Sequence, residues 1–517
     1  MEKVMKTNGN LYEQMRVLKD NNKQEELIQL FIDSLFVITN SAYTLHYYQL
    51  VKDIEISKVS SYLGKLMIAW LAFLNGDNAY LFSVINQFDE DNLQNSEEKS
   101  LFYSLKSLMT FKSLPDKKLE LAKLSVDVLP KDSKSLFMAN AKLTYAQMLA
   151  GFHRYREAAK IFGESYEMFF SLRLEFPAAI ALTNKMLNMY YLGELNKVID
   201  ECNATLVMSS NFQGEGEAYW GFLHLPLGMS YFQMNKINLA CKHLETVKAC
   251  IDETKLLHVF GVTEPFLLKS YYLLNDKLKM QAVNDSIIKN IGHMNYVYSD
   301  VFQCLYYLLS EDEAYSEKIK PIIERLDIEF NVKHNWEHYQ LIEVLLLLKQ
   351  KEISDIISTE QILELFKNLR FTGMLTQLQE LLIFWAEINY KQQNQKEAEE
   401  CLKEAVNIKN DTGIIVNFFM FPLKSVILLK KIDLDMYQMI ENSMGAKEKA
   451  SGETILSIKE KEILELVAVG KSNAKIGEEL YLSIGTVKWY LNRIYSKLYV
   501  KNRTQAIAKA KSLGEIQ

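Results

Sequence analysis

The sequence predicts an all-α protein: a long solenoid of helical hairpins followed by a small, separate four-helix domain. Three observations predict it. Only 7 prolines and 20 glycines occur in 517 residues, so few positions interrupt a helix. Apolar residues recur three and four apart through most of the chain. The turn-bearing residues Gly151, Gly193, Asn235 and Asn275 fall 42, 42 and 40 positions apart, a period typical of stacked helix pairs.

Composition narrows the class. With 49% hydrophobic and 24% charged residues the chain is globular, neither disordered nor collagen-like. Five widely spaced cysteines (Cys202, Cys241, Cys250, Cys304, Cys401) form no C-x-x-C pair, and read as small core residues in a reducing compartment. Met1 to Asn10 hold no signal-peptide h-region, and no run of about 18 apolar residues appears. The expectation is a cytoplasmic protein with no membrane contact.

The elements follow in order. Met67 to Leu74 form a helix that stops at Asn75-Gly76-Asp77. From Leu136 to Phe170, Leu143, Ala146, Met148 and Leu149 line one helix, and Ala158, Ile161 and Phe162 the next. Gly151-Phe152-His153-Arg154 turns the chain between them. The same pattern returns at Tyr191-Leu192-Gly193, at Met234-Asn235 and at Leu274-Asn275. Between Asn290 and Gly373 the sequence is helical without a clear register. Leu378 to Asn410 is a further hairpin, its second helix carrying Ala398, Cys401, Leu402, Ala405 and Val406 on one face. The apolar stripe stops near Glu441, and Gly445 and Gly452 appear. The reading is a solenoid over 1–440, a linker over 441–454 and a second domain over 455–517.

That second domain differs in charge. The whole chain is −6 and Ser451 to Gln517 is +4, so the first 450 residues carry −10. Between Ser483 and Lys511 there are seven basic residues and no acidic one, the electrostatic footprint of nucleic-acid binding. Ser457 and Glu460 form a capping box for a helix bearing Ile463, Leu464 and Val467, closed by Gly470. Ser472 or Asn473 caps a short helix with Ile476 and Leu480. A third helix, Gly485 to Leu498, turns Val487, Leu491, Ile494 and Leu498 inward. A last helix begins at Lys501-Asn502-Arg503-Thr504 and carries Ala506, Ile507 and Ala510. The tight turn between the second and third helices makes this a helix-turn-helix unit.

The run Leu456-Ser457-x-Lys459-Glu460-x-Glu462-Ile463-Leu464, then Gly470-Lys471-Ser472-Asn473-x-x-Ile476, then Leu480-x-Leu482-Ser483-x-x-Thr486-Val487-Lys488, then Ile494-Tyr495-x-Lys497-Leu498-x-Val500-x-x-Arg503 resembles the LuxR-type DNA-binding domain throughout. The resemblance implies a recognition helix in the major groove of double-stranded DNA. It puts Lys488, Trp489 and Asn492 at base-facing positions, and Thr486, Arg493, Lys497, Lys501 and Arg503 on phosphates. Gly477 and Tyr490 depart from the family, which usually has Ala and often His there. The roughly 40-residue repeat joined to this domain resembles the C-terminal half of large ATP-dependent LuxR regulators of the maltose-regulon activator type, whose TPR-like solenoid senses an inducer. Those regulators carry an ATPase module, and no G-x-x-x-x-G-K-[ST] occurs in this sequence. ATP-dependent activation is therefore not carried over, and no cofactor is expected. The ATPase module is either lost or supplied by another chain.

Two other patterns compete. His334-Asn335-Trp336-Glu337-His338 fits H-x-x-E-H, which on a helix could hold zinc with Glu337 as base. With no third ligand in view, it reads as the polar face of a hairpin helix. Tyr190-Tyr191 and Tyr219-Trp220 could line a groove for a sugar or peptide, though aromatics at helical spacing more often pack between repeats. The function expected is a non-enzymatic transcription regulator, more plausibly an activator. Its partners would be operator DNA (as a dimer), RNA polymerase, and a small-molecule, peptide or protein inducer. The alternative is a solenoid scaffold for protein interaction in which DNA binding is secondary.

Overall fold

The computed structural model describes residues 9–34, 38, 44–88, 90–109, 115–209, 219–254, 260–289, 296–310, 319–322, 344, 347, 349, 358–421, 423–451, 458–480, 487, 488, 490, 491, 494, 495, 498, 500 and 502–512. The described residues form helices and turns with no strand. They fall into two compact units, Met1–Leu428 and Leu429–Gln517.

The first unit opens with α1 (Gly9–Asp20), α2 (Gln24–Asp33), α3 (Thr44–Val51), α4 (Tyr62–Leu74), α5 (Asn78–Ile85), α6 (Ser96–Met109) and α7 (Pro115–Asp127). Met15, Phe31, Tyr47, Leu66, Ile68 and Leu71 lie fully buried in a shared core. Regular hairpins follow: α8 (Leu136–Gly151) with α9 (Tyr155–Ser171), α10 (Glu175–Tyr191) with α11 (Leu195–Ser209), α12 (His224–Gln233) with α13 (Ile237–Thr254), and α14 (Phe260–Leu273) with α15 (Lys277–Lys289). Next are α16 (Tyr296–Ser310), α17 (Thr359–Thr372), α18 (Leu375–Lys391) and α19 (Gln395–Thr412). Consecutive helices pack on one another, as α9 does on both α8 and α10.

One turn chemistry repeats along the chain. His153, Arg173, Gly193, Asn235, Asn275, Gly373, Gln393 and Gly413 all have left-handed φ angles between 56° and 79°. At most of them the next residue's N–H reaches back five residues to close the helix: Arg154 to Leu149 O, Leu174 to Phe169 O, Glu194 to Met189 O, Lys236 to Tyr231 O, Asp276 to Tyr271 O and Asn394 to Asn389 O, all at 2.9–3.0 Å. This is the Schellman arrangement, which satisfies carbonyls a helix end leaves open. It corrects one sequence expectation. Gly151 is the last residue of α8, and the left-handed position is His153, at φ 58°. Spacing between the hairpin turns is thereby 40, 42 and 40 residues.

Each second helix is amphipathic. In α9 the buried residues are Tyr155, Ala158, Ala159, Phe162, Ser165 and Phe169, one stripe at helical spacing. In α19 the buried set contains the expected Ala398, Cys401, Leu402, Ala405 and Val406. No disulfide joins the five cysteines, and burial pushes the Cys241 thiol up to about 11 and the Cys401 thiol to about 12. Such thiols stay protonated and inert near neutral pH.

The aromatic pairs pack rather than line a groove. Tyr190, Tyr219 and Trp220 are almost wholly buried. Tyr190 sits edge-on to Phe266, Tyr219 lies 4.5 Å from Phe176 between ring centres, and Tyr190 Oη accepts from Gln233 Nε2 at 2.8 Å. Burial is the first reason: a phenol with a hydrogen-bond partner is more stable inside than facing water. The H-x-x-E-H segment, 334–338, lies outside the described residues. Among those described, no group of three or more metal-binding side chains occurs. No described helix is long and apolar enough to cross a membrane.

The second unit begins with α20 (Leu429–Ile432) and α21 (Leu434–Ser451). The Asp433 carboxylate caps α21, accepting from Met436 N at 3.0 Å. The stretch read as a linker, 441–454, is thus helical as far as Ser451, Gly445 included. Glu, Met, Ala and Lys dominate it, all good helix formers, so the end of the apolar stripe does not end the helix. Gly452 lies outside the described residues.

Three histidines tie the fold to pH. Burial lowers His153 to about 4. Burial, then the charges of His224 and Lys242, lower His243 to about 4, and burial with Lys242 lowers His224. His224 and His243 stack and share one hydrogen bond, Nδ1 to Nδ1, at 2.6 Å, so one ring donates and the other accepts. In the unfolded chain these rings take up protons below about 6.5, while in the folded chain His153 and His243 resist until about 4 and His224 is held below its ordinary value. The stability they contribute is therefore present above pH 6.5 and is lost as pH falls to 4. Thermal unfolding followed by circular dichroism should show Tm dropping across that window. His153→Gln and His243→Gln should flatten the slope; an unchanged slope in both would contradict the assignment.

Candidate nucleic-acid interface

The site is built on a small core. α22 (Ile458–Ala468) supplies Ile463, Leu464 and Val467, and α23 (Asn473–Leu480) supplies Ile476. Val487, Leu491, Ile494 and Leu498 come from the third segment, and Ala506 and Ala510 from α24 (Arg503–Ser512). All ten are buried together. This is the inward stripe expected from the spacing of four, three and four. The described positions 487, 488, 490, 491, 494 and 495 are helical.

Local chemistry sets each boundary. Gly470, at φ 84°, lets Lys471 N reach back to Leu466 O at 3.1 Å, closing α22. Ser472 is the residue that caps α23: its Oγ accepts from Lys475 N at 3.4 Å. Asn502 caps α24 by accepting from Gln505 N at 2.9 Å. Gly477, where the family usually has Ala, is buried between these helices. Ser457 of the expected capping box lies outside the described residues.

Of the eight residues expected to touch DNA, the structure describes Lys488 and Arg503. Lys488 is exposed, one position after buried Val487, so its ammonium stands on the solvent side of the helix. Thr486, Trp489, Asn492, Arg493, Lys497 and Lys501 lie outside the described residues.

Arg503, expected on a phosphate, is half-buried and already engaged within the domain. Its guanidinium turns inward: Nη2 donates to Val467 O at 3.0 Å and to Lys471 O at 2.7 Å, and Nη1 to Asn473 Oδ1 at 3.5 Å. It also lies near Tyr495, whose phenol is pushed up by burial and drawn back by this cation. The rigid five-donor fork reaches one carbonyl in the last turn of α22, Val467 O, and one in the turn beyond it, Lys471 O. Arg503 therefore braces the start of α24 against the turn between α22 and α23. Basic charge alone could not separate this role from a phosphate contact. The signal that could have done so is its place at the first position of a helix, on the same turn as buried Ala506.

Arg503→Ala should cost the domain about 2 kcal/mol, the scale of charge-assisted hydrogen bonds to buried acceptors. Arg503→Lys should recover only part of it. Hydrogen exchange over 458–512 in the full chain checks this; unaltered protection in Arg503→Ala would refute the bracing role.

Residues 454–510 match the family of bacterial regulatory proteins of the luxR type. Over 59 residues the chain is 49% identical to the transcriptional regulatory protein DesR of Bacillus subtilis (strain 168), covering 11% of this chain and 30% of that protein. It is 38% identical over 79 residues to the HTH-type transcriptional regulator AlkS of Pseudomonas putida, covering 15% and 9% respectively. Similarity to the HTH-type transcriptional regulator MalT of Vibrio parahaemolyticus runs over 178 residues at 25% identity, covering 28% of this chain and 20% of that protein. That last stretch is longer than the domain itself. The matched segments span a third or less of these relatives' own lengths. The C-terminal segment is a LuxR-type helix-turn-helix domain, a DNA-binding module.

Proposed function

We propose that the chain is a cytoplasmic transcription regulator, acting as an activator. In this reading the solenoid, 1–440, receives a small-molecule, peptide or protein signal, and the domain over 455–517 binds operator DNA. One observation carries it: Lys488 stands exposed on a helix whose opposite side is sealed into the core of a LuxR-type domain. Lys488 and Asn492, four apart in sequence, are assigned to base edges in the major groove. Arg493, Lys497 and Lys501, with Thr486, are assigned to phosphates, and Trp489 to a sugar or a thymine methyl. Two copies on half-sites about 34 Å apart would match the usual geometry of such domains. RNA polymerase is the protein partner an activator of this kind would engage.

Gel-shift titration against DNA upstream of its own gene tests the reading. Lys488→Ala and Asn492→Ala should each weaken specific binding by about 1–3 kcal/mol and relax sequence preference. Lys497→Ala or Lys501→Ala should weaken all sequences alike and reduce the salt-dependence slope by about 0.9 per lost contact. Unchanged affinity and preference in the first pair would overturn the base assignments. A chain that binds no DNA even at low salt, yet retains a stable protein partner, would favour the scaffold reading.

A further inference from the structure

Helix α18 is buried on every side. Each residue from Thr376 to Asn389 is inaccessible, yet Thr376, Gln377, Gln379, Glu380, Glu387 and Asn389 among them are polar or charged. Its neighbours in sequence, α17 and α19, cover part of it. Further cover comes from α10, far back in the chain, and from the turns at Val416–Phe418 and Ser425–Leu428. Lys269 Nζ of α14 meets Glu380 Oε1 at 3.2 Å, both side chains only 7% exposed. Thr376 and Glu380 lie beside the Tyr190 hydroxyl. Gln233, at the end of α12, accepts from Ile415 N through its backbone carbonyl at 2.8 Å. The hairpin turns meet as well. A Cβ on Gly193 would fall 3.3 Å from Thr412 Cβ, one on Gly373 would touch Leu192, and one on Gly413 would touch Met234.

This seam differs from the hairpin contacts around it. Elsewhere apolar stripes close against each other. Here a buried ion pair and several amides close the contact, and such pairs add little net stability over water. Among the described residues, Gln233 Oε1 and Asn188 Oδ1 on one side, and Trp385 Nε1 of α18, find no hydrogen-bond partner. Opening would return them to water. The same helix also holds the chain that follows. Gln379 donates to Ile414 O at 2.8 Å and accepts from Asn417 Nδ2 at 3.0 Å, Glu387 accepts from Ser425 N at 2.8 Å, and Phe384 packs on Phe421. Residues 413–428 are therefore a strap anchored to α18, and they lead directly into the unit that carries the DNA-binding domain.

We propose that the contact of α18 with α10 and α14 is an openable seam, latched by Lys269 and Glu380, and that the strap held to α18 moves with it and gives up its bond from Ile415 to Gln233 of α12. The coupling of that strap to DNA binding rests on the regulator reading above; the opening itself does not.

Hydrogen exchange by mass spectrometry on the full chain tests it. In the wild type, amides of 375–391 and 413–428 should exchange at least tenfold faster than those of 136–171, despite their deeper burial. Lys269→Met/Glu380→Leu, which removes the desolvation cost and leaves no orphan charge, should slow both segments tenfold or more. Gly193→Cys/Thr412→Cys should do the same once oxidised and not when reduced: the Cβ positions fall 3.3 Å apart, slightly under the usual disulfide span, and the left-handed φ of 75° at 193 strains both states alike, so the oxidised–reduced difference is the readout. Glu380→Gln should speed exchange, and Lys269→Glu/Glu380→Lys should restore it if the single variant folds poorly. Exchange of 375–391 as slow as that of 136–171, and indifferent to the oxidised crosslink, would overturn the seam. In parallel, operator affinity should differ at least fivefold between the oxidised and reduced crosslinked protein. A wild type that shifts no DNA would sink the regulator reading and leave the exchange result to decide the seam.

Discussion

Two helices joined by a tight turn have more apolar surface than they can cover themselves, and this constraint shapes the whole first unit. Each hairpin must borrow cover from the next, so the pairs stack. Stacking needs a turn that repeats without drift. The left-handed residue followed by a five-residue back-bond supplies it, with Gly, Asn, His, Arg or Gln at the left-handed position as local packing allows. Gly and Asn adopt that conformation at little cost, and the closed carbonyls offset the strain at the others.

Much of this was legible in the sequence. The stripe Ala398, Cys401, Leu402, Ala405 and Val406 announced α19, and the spacing of Gly193, Asn235 and Asn275 announced the period. His153 was harder to see, because a glycine two residues earlier offered a more obvious turn. That Tyr190 and Trp220 pack between repeats was the favoured reading of their spacing, but what covers them was not readable. It depends on which distant helices return to cover them, and hydrophobic period carries no such information. The same holds for α18, whose amides and carboxylates look like a solvent face until α10, α14 and the strap are placed around it.

In the C-terminal domain the reverse holds. Its inward stripe, its caps at Ser472 and Asn502 and its closing Gly470 follow from local spacing, and the structure places them accordingly. What spacing could not assign was the use of a charge. Lys488 and Arg503 look alike as cations in a basic segment. One faces water and the other satisfies the carbonyls of Val467 and Lys471. Net charge alone thus does not assign each cation its role, because Arg503 also holds the domain together.

The meeting of Gly193 with Thr412, and of Leu192 with Gly373, also limits how this protein can change in evolution. An open stack of hairpins can gain or lose a unit by duplication or deletion, and its ends simply move. A stack that curls back until two of its turns touch has a fixed circumference. Removing one unit of about 40 residues between Asn235 and Gly373 would leave the returning helix with the wrong wall to meet. Repeat number in this arc is therefore an inherited constant, and variation should collect in side chains and in the segments between helices.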